Sequence, residues 1–243
     1  MARVTQAGCA DERADMVGSV STPADAEPDA DPEVEIEAVI FDFAGVLSTS
    51  PASGMLERAE RFDLDLATFL SIVMGPLDVD SDHPYHELER GRITMVEFDA
   101  AIEPLWHAAG LDDFPPMPRG DELLAMVEPV TAMVDVARDV RAAGLPTAIL
   151  TNNTREWGAW RGAWDADNLV DVVIDSSEVG FRKPDPAIFE LTVERLGGPP
   201  IEGCLFLDDF PWNVAAAAAL GFQTMHVTDP VAAAAAVRSR LGL

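Results

Sequence analysis

Residues 38–47 read AVIFDFAGVL, a run of four apolar residues that leads directly into an aspartate and then, three positions later, into a glycine. A continuous apolar run with Val, Ile and Phe is typical of a parallel strand that helices cover on both faces. Asp42 is therefore expected at the carboxyl end of a strand, where open α/β sheets bind ligands. Gly45 permits a sharp turn that brings backbone N–H groups close to this carboxylate.

Three further segments place polar residues beside apolar ones. Thr151 and Asn152 end the run AILTN, Lys183 lies in the loop RKPDP, and Asp208 and Asp209 end the run LFLDD. Because parallel strands end at the same edge of a sheet, these residues are expected near the first aspartate. Lys183 is the only lysine of the chain, which favours a role in the site over a place on the surface.

From residue 121 to the C-terminus, helical and strand patterns alternate. This order predicts an α/β fold in which right-handed crossovers build a parallel sheet. The expected strands are residues 147–152, 172–175, 204–208 and 222–227, and the expected helices are residues 131–143, 186–196, 212–220 and 231–241.

Residues 53–120 form a helical insertion between the first two strands. Apolar residues at helical spacing predict one helix over 66–73 and a second after Thr94, whose sequence TMVE has the spacing of a capping box. The second helix should bury Leu105 with its other apolar residues, and Pro104 should kink or restart it.

Composition limits the classes of partner. The net charge is −27 with only 16 basic residues, so nucleic acid and anionic membranes are unlikely partners. No run is long enough to span a membrane, and Cys9 and Cys204 do not suggest a disulfide framework, so a cytoplasmic protein is expected. Residues 1–33 are expected to be a disordered acidic tail, with a docking arm for a basic partner as the alternative.

The series Asp, Thr-Asn, Lys and Asp-Asp resembles the four motifs of the haloacid dehalogenase superfamily, whose members are mostly Mg-dependent phosphohydrolases. The resemblance covers the chain from about residue 34 onwards. It implies a Rossmann-like, doubly wound parallel sheet in residues 34–52 and 121–243, with residues 53–120 as an inserted α-helical cap of the first cap class. The cap sequence ELERGRI resembles the branch that includes the N-terminal phosphatase domain of soluble epoxide hydrolase.

The motifs suggest a division of chemical roles. Asp42 would attack phosphorus and form an aspartyl-phosphate, because a carboxylate is ionised near pH 7 without an activating partner. Together with Asp208 and Asp209 it offers the hard oxygen ligands that Mg²⁺ prefers. The resemblance implies that the backbone carbonyl of Ala44 is a further metal ligand.

The substrate phosphate has its own expected partners. Lys183 would bridge the nucleophile and the phosphate, while the Thr151 hydroxyl and the amides near Asn152 would bind the remaining phosphate oxygens. Three carboxylates and one ammonium sum to −2, so Mg²⁺ is needed before a phosphate dianion can enter. Each like-charge pair at about 4 Å costs roughly 4 kcal/mol at an effective dielectric near 20.

Ala44 departs from the family pattern. Most phosphatases of the superfamily carry a second aspartate at this position. The resemblance implies that this aspartate acts first as a general acid for the leaving group and then as a general base for water. Alanine can fill neither role. The sequence also resembles phosphonoacetaldehyde hydrolase at this point, but that enzyme type needs a cap lysine that is missing here. Haloacid dehalogenases lack the second aspartate too, although they need no metal and no paired aspartates.

Function is therefore expected to be Mg²⁺-dependent hydrolysis of a small phosphorylated metabolite. The alternatives are a dehalogenase-like hydrolase that uses Asp42 on carbon, and a protein that binds a phosphorylated ligand with slow turnover or none. Monomer and homodimer both remain open. Trp157, Trp160 and Trp164 are expected to form one packed helix face, and His83 and His86 to be solvated cap residues.

Overall fold

The structure is a computed structural model that describes residues 34–50, 52–112, 114–119 and 121–243. The acidic tail expected over residues 1–33 lies outside the described residues. Within these ranges, no helix combines the length and the apolar character needed to cross a membrane.

Five parallel strands form one sheet in the order β3-β2-β1-β4-β5. From the central strand the chain builds outward on one side and then crosses to the other, so the predicted doubly wound α/β sheet is confirmed. All the expected strands are present, and their bounds are β1 Ala38–Phe41, β2 Thr147–Thr151, β3 Val172–Asp175, β4 Cys204–Asp208 and β5 Gln223–His226.

The central strand is buried on both of its faces. Val39 and Phe41 belong to one hydrophobic cluster, and Ala38 and Ile40 belong to a second, because successive side chains of a strand point to opposite faces. All four are fully buried. The continuous apolar run before Asp42 follows from this double burial.

The described part of the chain also contains twelve α-helices and two short 3₁₀ turns. The four helices expected after residue 121 are confirmed to within a residue at each end, whereas several one-turn helices were not expected because they are too short to show a period. The α-helices are α1 Ala52–Glu60, α2 Leu66–Val73, α3 Pro84–Glu89, α4 Met95–Ala108, α5 Asp121–Leu124, α6 Thr131–Ala142, α7 Trp160–Ala163, α8 Ala166–Leu169, α9 Ser176–Val179, α10 Pro186–Arg195, α11 Pro211–Ala219 and α12 Pro230–Leu241, with 3₁₀ turns at Arg155–Trp157 and Ile201–Gly203.

The inserted helices α1–α4 surround a hydrophobic cluster of their own, whose buried members all come from residues 59–117. The predicted capping box is present, since Thr94 and Glu97 exchange side-chain and backbone hydrogen bonds at the start of α4. Pro104 was expected to kink or restart this helix, and the restart does not occur, because α4 continues without a break from Met95 to Ala108. Pro104 and Ala100, four residues before it, are exposed, so water can bind the carbonyl that loses its partner.

The buried face of α4 differs by one residue from the expected face. Trp106 is fully buried and Leu105 is 41% exposed, because the helix continues from Ile102 by a step of four residues rather than three. The Trp106 indole N–H donates to the carbonyl of Asp112 at 3.1 Å, which gives its buried polar atom a partner.

The inserted segment meets the sheet domain at the end of α3. Gly91 has φ +65°, and a Cβ there would lie 2.2 Å from the carbonyl oxygen of Ser177, so only glycine allows this approach. The Ser176 hydroxyl donates to the carbonyl of Glu89 at 2.7 Å, and Arg182 Nε donates to the Glu89 carboxylate at 2.6 Å. Both side chains of the Glu89–Arg182 pair are buried.

The three tryptophans after β2 do not form one helix face. Trp157 ends a 3₁₀ turn, Trp160 begins α7 and Trp164 follows it, yet all three rings pack against Phe43. Their ring centroids lie 5.9, 4.4 and 4.7 Å from that of Phe43. The expectation that they pack is confirmed, whereas the single helix is wrong, and this packing fixes the residue that follows Asp42.

Candidate active site

Three adjacent central strands end in the polar residues that sequence motifs singled out. Asp42 directly follows β1, Thr151 is the last residue of β2, and Asp208 is the last residue of β4. The Asp42 backbone N–H donates to the carbonyl of Leu207 at 2.8 Å, so the sheet ladder extends to the aspartate and holds its backbone rigidly. The three residues are 5% exposed or less.

Lys183 joins two of these carboxylates. Its Nζ donates to Asp42 Oδ1 at 2.7 Å, to Asp208 Oδ2 at 2.7 Å and to the carbonyl of Leu150 at 3.0 Å, so all three ammonium protons are used. Burial opposes the positive charge, but the carboxylates of Asp208 and Asp42 outweigh it and raise the pKa of Lys183. Lys183 is therefore a permanent cation at the strand ends.

Asn152 holds the loop that carries this lysine. Its side-chain Nδ2 donates to the carbonyl of Lys183 at 2.9 Å, and its Oδ1 accepts from the backbone N–H of the same residue at 2.8 Å. Because both ends of the amide are occupied, the side chain of Asn152 positions the lysine. Thr151, by contrast, lines the cavity above the strand ends and makes one long hydrogen bond, of 3.4 Å, to the adjacent carbonyl.

Asp42, Asp208 and Asp209 can jointly hold a metal ion. Each offers a carboxylate oxygen within 4.8 Å of the others. Asp209 Oδ1 is buried and has no hydrogen-bond partner among the described residues, which is costly unless a cation compensates it. Asp208 is fixed by the N–H of Phe210 at 2.8 Å and by Asn213 Nδ2 at 3.1 Å. This donor set fits a hard divalent cation.

Two carboxylates of the cluster, those of Asp42 and Asp209, resist ionisation in the absence of a cation. Burial raises the pKa of Asp42 well above its usual range, with Lys183 opposing this and Asp208 and Asp209 adding to it. Burial, followed by the charge of Asp208, raises the pKa of Asp209 to about 6. A bound divalent cation would favour the ionised forms of both groups.

Gly45 makes room for Asp209. The glycine has φ +88°, and a Cβ built on it would lie 2.2 Å from Asp209 Oδ2. Any other residue would therefore strain the backbone and displace a carboxylate of the cluster. Two features of the structure therefore require glycine at position 45: its left-handed backbone conformation and its close approach to the Asp209 carboxylate.

A cavity of 240 Å³ opens above the strand ends. The site residues Asp42, Ala44, Thr151, Lys183 and Asp209 all contribute to its wall. Ala44 therefore places a methyl group where the resemblance implies a second carboxylate, and this group can neither donate nor accept a proton.

Sequence reasoning missed several residues around the cavity. Asn213 orients Asp208, and the Glu89–Arg182 pair contributes to the wall. Arg182 stands next to the lysine in the loop motif, which was a usable signal, whereas Glu89 and Asn213 are identified only by their contacts. Trp157 also lines the cavity, in addition to its packing against the first motif.

The expectation that the two cap histidines are solvated is wrong for His86, which is fully buried. Its Nδ1 lies 2.9 Å from the Ser81 hydroxyl, and burial, together with the charge of Arg182, lowers its pKa to about 4. His83 is half-buried, and its Nδ1 accepts the N–H of Tyr85 at the start of α3. Both rings serve the structure of the inserted segment.

Comparison with known proteins gives a consistent picture. The family model described as "haloacid dehalogenase-like hydrolase" matches residues 36–221. Mouse acyl-CoA dehydrogenase family member 10 is 30% identical over 84% of this chain and 19% of its own length. Mouse bifunctional epoxide hydrolase 2 is 24% identical over 82% of this chain and 37% of its own length. The chain thus spans well under half of these two relatives.

Two further relatives have names that describe a reaction. Sesquiterpene phosphatase astK of Aspergillus oryzae is 26% identical over 85% of this chain and 97% of its own length. (S)-2-haloacid dehalogenase 1 of Pseudomonas sp. is 37% identical, but only over 36% of this chain and 39% of its own length. These similarities leave the choice between phosphorus and carbon as the reacting atom to the chemistry of the site.

Among solved structures, a Bacteroides thetaiotaomicron enzyme of the same family, in complex with magnesium and inorganic phosphate, shares the fold. Its TM-score is 0.54 at 19% identity, over 80% of this chain and 96% of the other. At this identity the likeness concerns the fold alone.

Proposed function

Because this chain belongs to the haloacid dehalogenase-like hydrolases, we propose that it is a Mg²⁺-dependent phosphatase of a small phosphorylated metabolite. The observation that carries this proposal is the cluster of three carboxylates with one fixed ammonium group, Lys183 Nζ, 2.7 Å from Asp42 and from Asp208. A dehalogenase-like site that acts on carbon needs no metal ion, and therefore does not need a carboxylate pair such as Asp208 and Asp209 in addition to the nucleophile. The phosphatase among the relatives supports this proposal.

In the first step, a carboxylate oxygen of Asp42 attacks phosphorus, the new O–P bond forms, and the bond to the ester oxygen breaks. Lys183 keeps the carboxylate oriented and offsets the charge of the incoming phosphate, while Thr151 and the backbone amide of Asn152 bind phosphate oxygens. In the second step water attacks the aspartyl-phosphate, which releases inorganic phosphate and restores the carboxylate. Mg²⁺, when bound to Asp42, Asp208, Asp209 and the carbonyl of Ala44, would neutralise the phosphate charge.

We further propose that residues 53–120 act as the cap domain over a core of residues 34–52 and 121–243. The separate hydrophobic cluster of the inserted helices supports this division. The cavity has walls from both parts, with Met74 and Leu88 on the inserted segment and Asp42 and Lys183 on the core. The cap would therefore select the organic group while the core carries out the reaction.

A chelation experiment tests the proposed function. Phenyl phosphate turnover should fall to background in EDTA and return with added Mg²⁺, and the double change Asp208→Asn with Asp209→Asn should abolish this return because two ligands are lost. A dehalogenase-like enzyme would instead release halide from a 2-haloacid in EDTA, as its partial likeness to a haloacid dehalogenase would suggest. A burst of one phenol per protein, with the phosphoryl group retained on the protein and no further turnover, would favour a protein that captures a phosphorylated ligand and releases it slowly or not at all.

The methyl group at position 44 predicts a steep dependence on the leaving group. The described residues offer no carboxylic acid at position 44, where the family pattern places the general acid. If the departing oxygen takes its proton from water instead, substrates with acidic leaving groups should react far faster than alkyl phosphates. Turnover of substituted phenyl phosphates at saturating Mg²⁺ would measure this slope. Ala44→Asp should improve poor leaving groups most, by up to about 10²-fold. A flat slope in single-turnover kinetics of the parent protein would contradict the prediction.

A further inference from the structure

The part of the cavity wall that the inserted segment contributes is almost entirely apolar. Its polar side chains are only Tyr85 and Glu89, among the described residues that line the cavity. The others are hydrocarbon or thioether side chains, and they come from all four inserted helices, from the loop after α2 and from the irregular stretch after α4: Met55, Leu66, Leu70, Met74, Leu77, Leu88, Met95, Met117 and Pro118.

The two polar side chains of this wall are already engaged. The Glu89 carboxylate accepts from Arg182 Nε at 2.6 Å. Burial, followed by the negative charge of this nearby carboxylate, raises the pKa of the Tyr85 hydroxyl. Arg182 also contacts Asp80 at 3.4 Å. A hydroxyl group of a ligand placed against this wall would lose its bonds to water and would have to break this buried chain to replace them.

Two side-chain amides on the core side of the cavity, those of Asn152 and Asn153, are engaged as well. Asn152 is paired with the backbone of Lys183, and Asn153 donates to Asp175 at 2.6 Å while its Oδ1 accepts the N–H of Thr154 at 2.8 Å. Four core-side groups of the cavity wall have no hydrogen-bond partner among the described residues, and all belong to segments that follow the ends of β2 and β4, near the expected phosphate site: Thr154 Oγ1, Trp157 Nε1, Asp209 Oδ1 and Asn213 Oδ1. On the wall that the inserted segment contributes, the cavity offers apolar contact area to the carbon atoms of a ligand rather than hydrogen-bond partners to its oxygen atoms.

We propose that the substrate is a phosphate monoester whose organic group is mainly hydrocarbon, with the hydrocarbon held between helices α1–α4 and the core. This inference rests on the proposed phosphatase function and specifies its substrate class. A volume of 240 Å³ has room for many atoms, since a single water needs about 10–15 Å³. Polyhydroxylated phosphates such as sugar phosphates are disfavoured by the same wall.

Methionine side chains give this wall an adaptable shape. Five of the nine methionines of the chain line the cavity, and methionine has three rotatable bonds and a polarizable sulfur. Such a wall fits hydrocarbon groups of differing outline better than one rigid shape. The structure therefore assigns to the site a preference for substrates whose organic group is apolar and of suitable length, with weak discrimination between branched and unbranched groups. The methionines that line the cavity are Met55, Met74, Met95, Met117 and Met126.

A series of 4-alkylphenyl phosphates tests this proposal, because the alkyl chain lengthens while the acidity of the phenol leaving group stays nearly constant. We expect kcat/KM to rise about threefold to fourfold per added methylene group until the cavity is filled. A terminal hydroxyl on the same chain should cost about tenfold or more. The Kd of matching 4-alkylbenzyl phosphonates, measured by calorimetry with Mg²⁺ present, should fall by the same factor per methylene.

A pair of variants locates the effect. Leu70→Asn places an amide on the cavity wall and should flatten the dependence on chain length, whereas Leu105→Asn makes the same change at a residue that is 41% exposed and is not part of this wall, and should keep the slope. Thermal unfolding of both variants controls for folding.

The outcomes separate the substrate class from the phosphatase function. Turnover with a flat dependence on chain length, or a slope that Leu70→Asn leaves unchanged, would overturn the substrate class and leave the phosphatase function standing. Absence of turnover across the whole series would count against the phosphatase function, and the phosphonate affinities would then decide the apolar site independently. Affinities that do not change with chain length would reject it.

Discussion

Asp42→Asn is expected to lower turnover by about 10⁴-fold or more while the fold stays intact, since the amide keeps the shape of the carboxylate but is not a nucleophile. The position is rigid, because its backbone N–H continues the sheet ladder and Phe43 is packed among three indole rings. Rate measurements with phenyl phosphate at saturating Mg²⁺, together with thermal unfolding, would check both halves of the prediction.

Asp82→Asn is a matched control for this change, because Asp82 is exposed and belongs to the inserted segment rather than to the site. It should leave turnover unchanged. Mass spectrometry of the variant protein is needed, since slow deamidation of the introduced asparagine would restore the parent enzyme. Retention of even 1% of the parent rate in undeamidated Asp42→Asn protein would show that another group attacks phosphorus.

Lys183→Met should have the second large effect, on stability as well as on rate. Its loss would leave Asp42 and Asp208 buried without the cation that lies 2.7 Å from each. Breaking a buried ion pair from one side costs about 3–5 kcal/mol, so the free energy of unfolding in EDTA should fall by that amount. Turnover should fall by more than about 10²-fold because the phosphate also loses its fixed cation.

Added Mg²⁺ should restore part of the stability of Lys183→Met, because a cation bound to the carboxylates of the folded protein stabilises it by mass action. It should not restore turnover. Arg195→Met removes an exposed cation near the end of α10 and serves as the control, with little change expected in either measurement. Equal unfolding curves for the parent and Lys183→Met in EDTA would refute the assigned charge balance.

Much of the sheet and the candidate site was predictable because their signals are local. The apolar runs before Asp42 and before Asp208 each indicate a buried parallel strand. Because ligands of such sheets bind at the carboxyl ends of the strands, the two acids are expected to lie close together. The loop motif around Lys183 is likewise continuous in sequence. Each of these motifs is a continuous stretch of sequence, so it can be recognised without knowing which distant residues it contacts.

The remaining features depend on contacts between distant residues, which local patterns do not encode. Glu89 and Arg182 are 93 residues apart, and neither residue type predicts burial. His86 was expected at the surface for the same reason, since only the fold shows that Ser81 and its neighbours enclose it. The helical period allows steps of three and of four residues, so the sequence pointed to Leu105 as the buried residue, whereas packing in the structure buries Trp106.

The Glu89–Arg182 pair limits how freely this protein can be recombined with its relatives. Glu89 belongs to the inserted segment, whereas Arg182 immediately precedes the catalytic lysine candidate in the core. A chimera that receives a foreign segment without an acid at this point would bury an arginine opposite a neutral group, at the residue next to Lys183. Under the proposed role of the inserted segment, the part of the chain that selects the substrate also supplies the partner of Arg182, the residue next to Lys183. Any segment exchanged to change the substrate therefore has to carry an acid at the position of Glu89.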